Sequence, residues 1–346
     1  MIINKRKISE DSPPYIIAEL SANHGGSIDR AKKSIFEASK SGVDAVKIQT
    51  YTPETMTINS NKADFLIKDG IWSGNNLYDL YKSAYTPFEW HSELFSYAKK
   101  IGITLFSSPF DESAVDLLDQ LNTPAYKIAS FEIVDHLLIE YISKKNKPII
   151  LSTGMANINE ISEALAVIRK VSNVDVMLLH CISSYPANTS KSHLNNILTL
   201  KNEFNVEVGL SDHTISNIAA SVAIGIGAVA IEKHFKLDDD DCGPDSSFSL
   251  NIKQLSSLVS ECNIAWKSKG TGNFQRSDDE SKNIIFRRSL YFVKNMKKGQ
   301  IITSSDIRRI RPGYGIHPKY YSEIIGKIVT KDVEVGDRVK WEIISD

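Results

Sequence analysis

Cysteine is scarce in this sequence, and its scarcity excludes two kinds of architecture. Only Cys181, Cys242 and Cys262 occur among 346 residues, and none of them forms a C-x-x-C pair. A disulfide scaffold and a structural zinc site both need paired cysteines, so the sequence predicts neither. We expect the chain to fold in a reducing compartment, the cytoplasm.

The chain also lacks an excess of charge and a long hydrophobic run. Its 41 basic side chains nearly balance 42 acidic ones, so no overall field favours nucleic acid or an anionic membrane as a partner. The longest apolar stretch, Ile218 to Ile231, is too short to cross a bilayer and is interpreted as a helix followed by a strand. The first fifteen residues contain no apolar stretch of signal-peptide length. Any anion must therefore be held by a local site.

What the sequence does contain is an alternation of short β-branched runs with amphipathic helical patterns. A hydrophobic content of 42% with 24% charged residues is ordinary for a globular protein, and the length allows one large domain and a small one. Eight runs are interpreted as strands: YIIAELSAN, DAVKIQTY, ITLFSSPF, AYKIAS, KPIILSTGM, DVMLLHCISSYP, VEVGLSDHT and AVAIEKHF. Among the helices, one is expected to stop at Gly42, and another to begin with a capping box of Asn157 and Glu160.

The alternation favours a closed parallel barrel. Strands joined by helices require right-handed crossovers, and eight such units close most naturally into a (β/α)₈ TIM barrel. A doubly wound open sheet is the alternative. SANHGGS, which follows the first strand, does not have the spacing of the glycine-rich dinucleotide fingerprint that such a sheet would carry.

Two long connections and a change of pattern near residue 270 define the domain organisation. Residues 52–86 and 238–250 both follow strands and should lie over the C-terminal rim of the barrel, where such loops cover substrate. The run DDDD at 238–241 is interpreted as a solvated turn. The pattern predicts a barrel domain over 1–270, a linker over 271–285 and a small, mainly β module over 286–346.

Polar residues are concentrated at the ends of the predicted strands, where barrel enzymes carry their active sites. His213 and His234 end neighbouring strands about 4.8 Å apart, so both imidazoles can point at one divalent ion. Two histidines with water completing the shell indicate an exchangeable catalytic metal such as manganese. The alternative is that each histidine is a hydrogen-bonded core residue.

Two lysines lie within apolar strands, where an unpaired ammonium is costly. Lys47 and Lys127 would be compensated by a phosphate or carboxylate, and strand-end hydroxyls are available as further donors: Ser108, Ser130, Ser152 and Ser211. The alternative is internal pairing with acidic residues: Glu19, Glu132 or Glu232. Glu132 is also a candidate general base, because a carboxylate near a metal and an anion can take a proton from water.

Ten motifs in order carry a resemblance to a known family: IAELSANHGGS, DAVKIQTYTPETMT, FSSPFD, YKIASFEI, STGM, GLSDHT, IEKHF, GPDSSFSL, FRRSLY and IRPGYGI. Over nearly its whole length the chain resembles the sialic acid synthases. The resemblance implies a TIM barrel followed by a small antifreeze-like (SAF) domain. It also implies condensation of phosphoenolpyruvate with the open-chain aldehyde of an N-acetylated hexose, with water adding at C2 and phosphate leaving.

The resemblance implies roles for individual residues. It gives phosphoenolpyruvate contacts to Lys47, Ser108, Lys127, Ser130, Ser152 and Ser211. His213 and His234 would hold the metal that polarises the aldehyde, with Mn²⁺ expected and Mg²⁺ or Co²⁺ as alternatives. Glu132 would activate water, Glu19 falls at a family position and is placed with the catalytic residues, and three residues would orient the sugar: Gln49, Tyr185 and Asp245.

Two further positions bear on assembly and on the sugar. Arg311 resembles the arginine that the antifreeze-like domain delivers to the barrel of the partner subunit, which implies a domain-swapped homodimer. Phe131 stands where sialic and legionaminic acid synthases usually have glycine, and its bulk is consistent with a 6-deoxy sugar. The alternative to a member that uses a 6-deoxy sugar is a member that makes sialic or legionaminic acid. A non-catalytic sugar-binding protein on a degenerate barrel would have lost the lysines or histidines, and none is lost.

Overall fold

The structure is a computed structural model that describes residues 1–237 and 243–346. The DDDD run and Cys242 lie outside the described residues. The chain divides into two compact units, Met1–Gly270 and Thr271–Asp346. Residues 271–285, for which the sequence predicts a linker, belong to the second unit.

The first unit begins with an antiparallel pair, β1 (Ile2–Ile3) and β2 (Arg6–Lys7). Parallel strands then form a closed barrel, and within the described chain they are β3 (Tyr15–Glu19), β4 (Ala45–Thr50), β5 (Thr104–Pro109), β6 (Tyr126–Ile128), β7 (Ile149–Ser152), β8 (Val176–Cys181), β9 (Glu207–Asp212) and β10 (Ala230–His234). Neighbours in sequence pair throughout, and β10 closes the barrel on β3. Each of the eight predicted runs contains one of these strands, so the TIM barrel is confirmed.

Helices follow the strands, most of them on the outside of the barrel, with those of the 52–86 insertion above it. They are α1 (Ile28–Lys40), α2 (Pro53–Met56), α3 (Leu77–Ala84), α4 (Phe88–Ile101), α5 (Glu112–Gln120), α6 (His136–Ser143), α7 (Ile158–Val171), α8 (Asn196–Phe204), α9 (Ile218–Gly225) and α10 (Ile252–Ser268). Short 3₁₀ turns occur at Ala63–Phe65, Ser130–Val134, Thr189–Lys191 and Ser246–Phe248. The insertion between β4 and α4 therefore carries α2, a 3₁₀ turn and α3.

The helix ends agree with their sequence signals. At the start of α7, Asn157 accepts from the amide of Glu160, and the Glu160 carboxylate accepts from the amide of Asn157 at 2.8 Å, which is the predicted capping box. Helix α1 ends at Lys40, and Gly42 follows with φ of +87°, a conformation that favours glycine.

Two apolar layers result from the alternation of side chains along each strand. Outward-facing residues such as Ile16, Val46 and Ile231 pack against the helices, while inward-facing residues such as Ile17 and Met177 fill the lower part of the barrel. The apolar inner core ends below the C-terminal ends of the strands. The polar residues at those strand ends therefore form the floor of the open end of the barrel.

The second unit is short of regular structure. It contains α11 (Asp278–Lys282), β11 (Ser289–Phe292), β12 (Ile307–Ile310), α12 (Tyr321–Ile324), β13 (Ile328–Val329) and β14 (Ile344–Ser345), with 3₁₀ turns at Asn283–Phe286, Pro318–Tyr320 and Trp341–Ile343. Leu290, Phe292 and Ile307 belong to its own apolar core. No helix among the described residues of either unit has the length and apolarity needed to cross a membrane.

We predict that Gly209→Ala in β9 destabilises the barrel. A Cβ atom at this position would lie 2.6 Å from the carbonyl oxygen of Ala230 and 2.7 Å from Leu179 Cδ2, so strand or core must shift. Overpacking of this kind costs about 1–3 kcal/mol, measurable by urea denaturation. Gly225→Ala is the matched control, because nothing lies within 4 Å of a Cβ there and no loss of stability is expected. Equal stability of both variants would contradict the prediction.

Candidate active site

A cavity of about 420 Å³ opens at the C-terminal ends of the barrel strands. Most of the predicted site residues line it: Lys47, Gln49, Lys127, Ser130, Glu132, Ser152, Tyr185, Ser211, His213, His234 and Asp245. Glu19 and Ser108 lie behind this wall, each in contact with the Lys47 ammonium. Arg311 is an exposed residue of the second unit. The two lysines and two histidines therefore meet at one mouth.

The floor of the cavity is a network of buried charges. Lys47 Nζ lies 3.0 Å from Glu19 Oε2 and 3.6 Å from Glu232 Oε2, while Lys127 Nζ lies 3.9 Å from Glu232 Oε1. The internal pairing that the sequence left open is thus present. Glu19 and Glu232 therefore compensate the lysines in part, and an anionic ligand at the floor stays a prediction.

Hydroxyl groups surround these ammonium groups. Lys127 Nζ donates to Ser152 Oγ at 2.6 Å, and Lys47 Nζ donates to Ser108 Oγ at 3.3 Å. Ser211 Oγ donates to Glu232 at 3.0 Å, and Ser130 Oγ accepts from the amide of Gly154 at 3.0 Å. An anion entering the floor would meet two ammonium groups and several rotatable hydroxyls, which is suitable chemistry for a phosphate.

The pKa values of the acidic and basic side chains in the floor reflect two opposing effects, burial and pairing with opposite charges. Burial raises the pKa of Glu19 to about 7 against the opposing effect of Lys47. Burial would also raise the pKa of Glu232, but the two lysines outweigh it and hold that pKa below its usual value. Burial lowers the pKa of Lys127, whereas Lys47, although equally buried, has its pKa raised by the two carboxylates. At neutral pH Glu232 is therefore the charged carboxylate between two ammonium groups.

The two histidines lie next to each other at the ends of the neighbouring strands β9 and β10. Their ring centroids are 5.4 Å apart, and His213 Nδ1 lies 3.0 Å from the carbonyl oxygen of Ile182, which leaves its Nε2 for another partner. His234 Nδ1 is buried and has no hydrogen-bond partner among the described residues. Burial and nearby positive charge lower the pKa of His234 and keep it neutral, the form that binds metal.

A divalent ion fits this pair as an open site. Among the described residues, no group of three or more histidine, cysteine or acidic side chains is arranged to hold a metal. His234 Nδ1, which has no hydrogen-bond partner among the described residues, and His213 Nε2 nevertheless supply two nitrogen ligands of the type that catalytic ions use. Asp245 Oδ2 lies 3.9 Å from His234 Nδ1, and Cys181 Sγ lies 3.7 Å from His213 Nδ1. Water or substrate would have to complete the shell.

Glu132 lies at a different part of the wall, in the 3₁₀ turn after β6. Its Oε2 is buried, and no described residue forms a hydrogen bond with it. Burial raises the pKa of Glu132 to about 7, with Lys127 opposing the rise. A carboxylate with a free, buried oxygen and a pKa near neutrality is equipped to accept a proton.

A third group of side chains lies around Asp245. Ser21 Oγ donates to Asp245, and Gln49 Nε2 donates to Ser21 at 3.0 Å and to Glu19 at 3.1 Å. The Tyr185 ring packs against His213 with centroids 4.4 Å apart. The predicted sugar-binding residues of the barrel are therefore held by one another and by the histidine pair.

The upper wall of the cavity is apolar, and sequence reasoning did not identify its residues. They are Tyr51, Met56, Ile67, Trp72, Leu77, Leu80, Tyr81, Ala84, Phe110 and Phe248. Most come from the 52–86 insertion, whose length was the available signal. Trp72 ties this insertion to the opposite side, since its Nε1 donates to the carbonyl oxygen of Pro244 at 2.9 Å and its ring contacts Tyr185. Phe131, by contrast, was identified and lines the same cavity.

A TIM barrel with lysines, hydroxyls and facing histidines at its strand ends defines an enzyme that acts on an anionic substrate. The chain belongs to the NeuB family, which it matches over residues 34–274, and residues 287–344 match the SAF domain. The family predicted from the sequence motifs and the antifreeze-like domain are both confirmed.

Similar proteins agree with this assignment. The chain is 45% identical to a pseudaminic acid synthase of Campylobacter jejuni subsp. jejuni serotype O:23/36, over 95% of this chain and 96% of the relative. It is 43% identical to a pseudaminic acid synthase of Helicobacter pylori, over 92% and 94% of the two chains. The crystal structure of an N-acetylneuraminic acid synthetase from Leptospira borgpetersenii in complex with citrate superimposes with a TM-score of 0.74 at 31% identity, covering 82% of this chain and 94% of that one.

Proposed function

We propose that this chain is a pseudaminic acid synthase. It would condense phosphoenolpyruvate with 2,4-diacetamido-2,4,6-trideoxy-β-L-altrose and water, giving pseudaminic acid and phosphate. The observation that carries the proposal is a single cavity with a cationic, hydroxyl-rich floor and an apolar upper wall. Relatives with that name at 45% and 43% identity support the choice of sugar.

The floor is assigned to phosphoenolpyruvate. Lys47 and Lys127 would bind its phosphate and carboxylate groups, helped by the hydroxyls of Ser108, Ser130, Ser152 and Ser211. Glu232 already neutralises part of this charge, so the hydroxyl groups would have to supply a share of the binding besides the two ammonium groups. Ser108 would act through Lys47, because it lies behind that residue.

In the reaction, C3 of phosphoenolpyruvate forms a bond to the aldehyde carbon of the open-chain sugar, and the aldehyde oxygen takes up a proton to become a hydroxyl. Water adds at C2, and the C2–oxygen bond to phosphate then breaks, so that phosphate leaves and a 2-keto acid remains. Glu132 would take the proton from the attacking water with its free buried oxygen. Glu19 would keep Lys47 and Gln49 in place through its contacts with both.

His213 and His234 would hold the metal, and a bound divalent ion would act as a Lewis acid on the aldehyde oxygen. We propose Mn²⁺, with Mg²⁺ and Co²⁺ as alternatives, because a two-histidine shell open to water suits an exchangeable ion. Placement of the enzyme in the cytoplasm stays a prediction from its cysteine usage.

The apolar upper wall favours a deoxygenated, acetylated sugar. Methyl groups at C6 and on the acetamido groups gain from contact with Met56, Ile67 and Leu80, whereas a 6-hydroxyl there would lose its water partners. Phe131 adds to the same apolar wall where sialic and legionaminic acid synthases usually have glycine. The polar end of the sugar would be oriented by Gln49, Tyr185 and Asp245.

We also propose a domain-swapped homodimer in which Arg311 reaches the barrel of a second copy. The described lining residues of the cavity include no arginine, so a guanidinium from a second copy would add a donor for the sugar's acetamido carbonyl that these residues do not supply. Arg311 is exposed and available for such a role.

The substrate assignment predicts the outcome of a competition. With phosphoenolpyruvate and equal amounts of the diacetamido-trideoxy-altrose and N-acetylmannosamine, mass spectrometry should detect pseudaminic acid in at least tenfold excess, because one or two misplaced polar groups cost about 1–3 kcal/mol. Phe131→Gly is the matched variant and should reduce this preference. A preference for N-acetylmannosamine would place the enzyme in the sialic acid branch.

The Glu132 assignment predicts a pH profile. Its pKa of about 7 means that the basic form is lost as pH falls, so turnover should rise through pH 7 and level off above it. Glu132→Gln should lower kcat by about 10²–10⁴-fold and remove this acid limb. Glu19 is a second carboxyl with a pKa of about 7, so the Glu19→Gln variant shows whether the acid limb comes from Glu19 instead of Glu132. If Glu19→Gln alone removes the limb, Glu132 is not the base.

The swapped dimer predicts complementation between inactive subunits. Arg311→Ala and Glu132→Gln should each be nearly inactive as homodimers, whereas mixing them should restore activity, since one barrel then has both Glu132 and a partner's arginine. Activity should be assayed after co-expression with two affinity tags. If the mixed dimer stays as inactive as its parents, Arg311 does not act across subunits.

A further inference from the structure

A buried ion pair lies on the outer side of the two strands that carry the histidines. Asp212 and Lys233 are directly paired in the register of β9 and β10, and the Lys233 ammonium lies 2.5 Å from Asp212 Oδ2. Their exposed fractions are 3% and 1%. Since side chains alternate along a strand, Lys233 points away from the cavity that Glu232 and His234 line. The pair does not touch the substrate space.

The same pair secures the loop that follows His213. Lys233 Nζ donates to the carbonyl oxygen of Ser216 at 2.8 Å and lies 3.4 Å from Thr214 Oγ1. Asp212 Oδ1 accepts from the amide of Thr214 at 2.9 Å. The loop after His213 is therefore fixed to two side chains, to Asp212 of the same strand at Thr214 and to Lys233 of the neighbouring strand at Ser216.

Stability alone does not account for this arrangement. A fully buried ion pair loses hydration on both members, and apolar residues of the same volume often serve stability as well or better. An apolar pair, however, could not hold the Ser216 carbonyl and the Thr214 amide in place. What the charges add is directional hydrogen bonding, at the residues covalently adjacent to His213 and His234.

We infer that Asp212 and Lys233 are positioning residues that set the spacing and orientation of the two histidines for a shared metal ion. The inference rests on the proposed metal role of the histidines. Two ligands from two strands converge on one ion only if the strands keep their register and the loop after His213 keeps its path. Changes behind metal ligands typically weaken metal binding about 10–100-fold.

The test measures binding of Mn²⁺ alone to the full-length protein, with free Mn²⁺ followed by electron paramagnetic resonance. The double variant Asp212→Leu/Lys233→Met replaces the pair by apolar groups and leaves no uncompensated charge. We expect its Kd for Mn²⁺ to rise about 10–100-fold. Its Kd for phosphoenolpyruvate, measured without metal, should stay within about threefold, because that ligand binds at the lysine floor.

Two further variants keep the test decisive. Asp212→Asn serves if the double variant fails to fold. It retains the acceptor for Thr214 and nearly the same shape but removes the charge opposite Lys233, and it should also raise the Kd for Mn²⁺. Thr50→Val is the matched control, because Thr50 Oγ1 forms buried hydrogen bonds with His91 at 2.8 Å and with Ser107 at 2.6 Å, behind strands that carry no histidine ligand. It should lose stability without changing the Kd for Mn²⁺.

The outcomes separate this inference from the proposed function. If His213→Ala binds Mn²⁺ as tightly as the wild type, the metal role is wrong and the inference is overturned with it. If His213→Ala binds weakly but the folded Asp212 and Lys233 variants bind like the wild type, only the inference is overturned. A higher Kd for Mn²⁺ with an unchanged Kd for phosphoenolpyruvate, seen in these variants and not in Thr50→Val, supports it.

Discussion

The site depends on Glu232, a buried carboxylate between two buried ammonium groups. Without it, Lys47 would keep only Glu19 as an acidic partner and Lys127 would lose its ion pair, and an uncompensated buried charge is strongly destabilising. With it, one charged carboxylate lies within reach of both ammonium groups, while burial raises the pKa of the other carboxyl, Glu19, to about 7. The groups proposed to bind phosphoenolpyruvate are thus local to the cavity floor, in a chain whose net charge is nearly zero.

The second constraint is the division of each strand into two faces. In β10, Glu232 and His234 point into the barrel while Ile231 and Lys233 point towards the helices. One strand therefore supplies a floor charge, one of the two facing histidines and, on its outer side, half of the ion pair behind both histidines. Chemistry and support come from alternate residues of the same segment, so each depends on the same register with β9.

Much of the site could be read from the residues themselves. Strand-end lysines, serines and histidines indicated an anion and a metal, since barrel geometry brings the ends of all strands to one mouth. The pairing of Lys47 with Glu19 and Glu232 could only be left open, because several glutamates were available and sequence gives no distances. The apolar wall was missed for another reason. Its residues lie in an insertion without strand periodicity, where Met56, Ile67 and Leu80 look like ordinary surface-helix or loop positions.

By itself, the sequence determined the barrel, the extent of the alternating pattern and the chemical groups at the strand ends, because periodicity and the order of motifs are local properties of the chain. Only the tertiary structure decided which carboxylates neutralise which lysines, that the insertion at 52–86 forms the roof of the cavity, and that Asp212 meets Lys233 behind the histidines. Those results depend on distances between residues far apart in the chain, and such distances exist only once the barrel has closed.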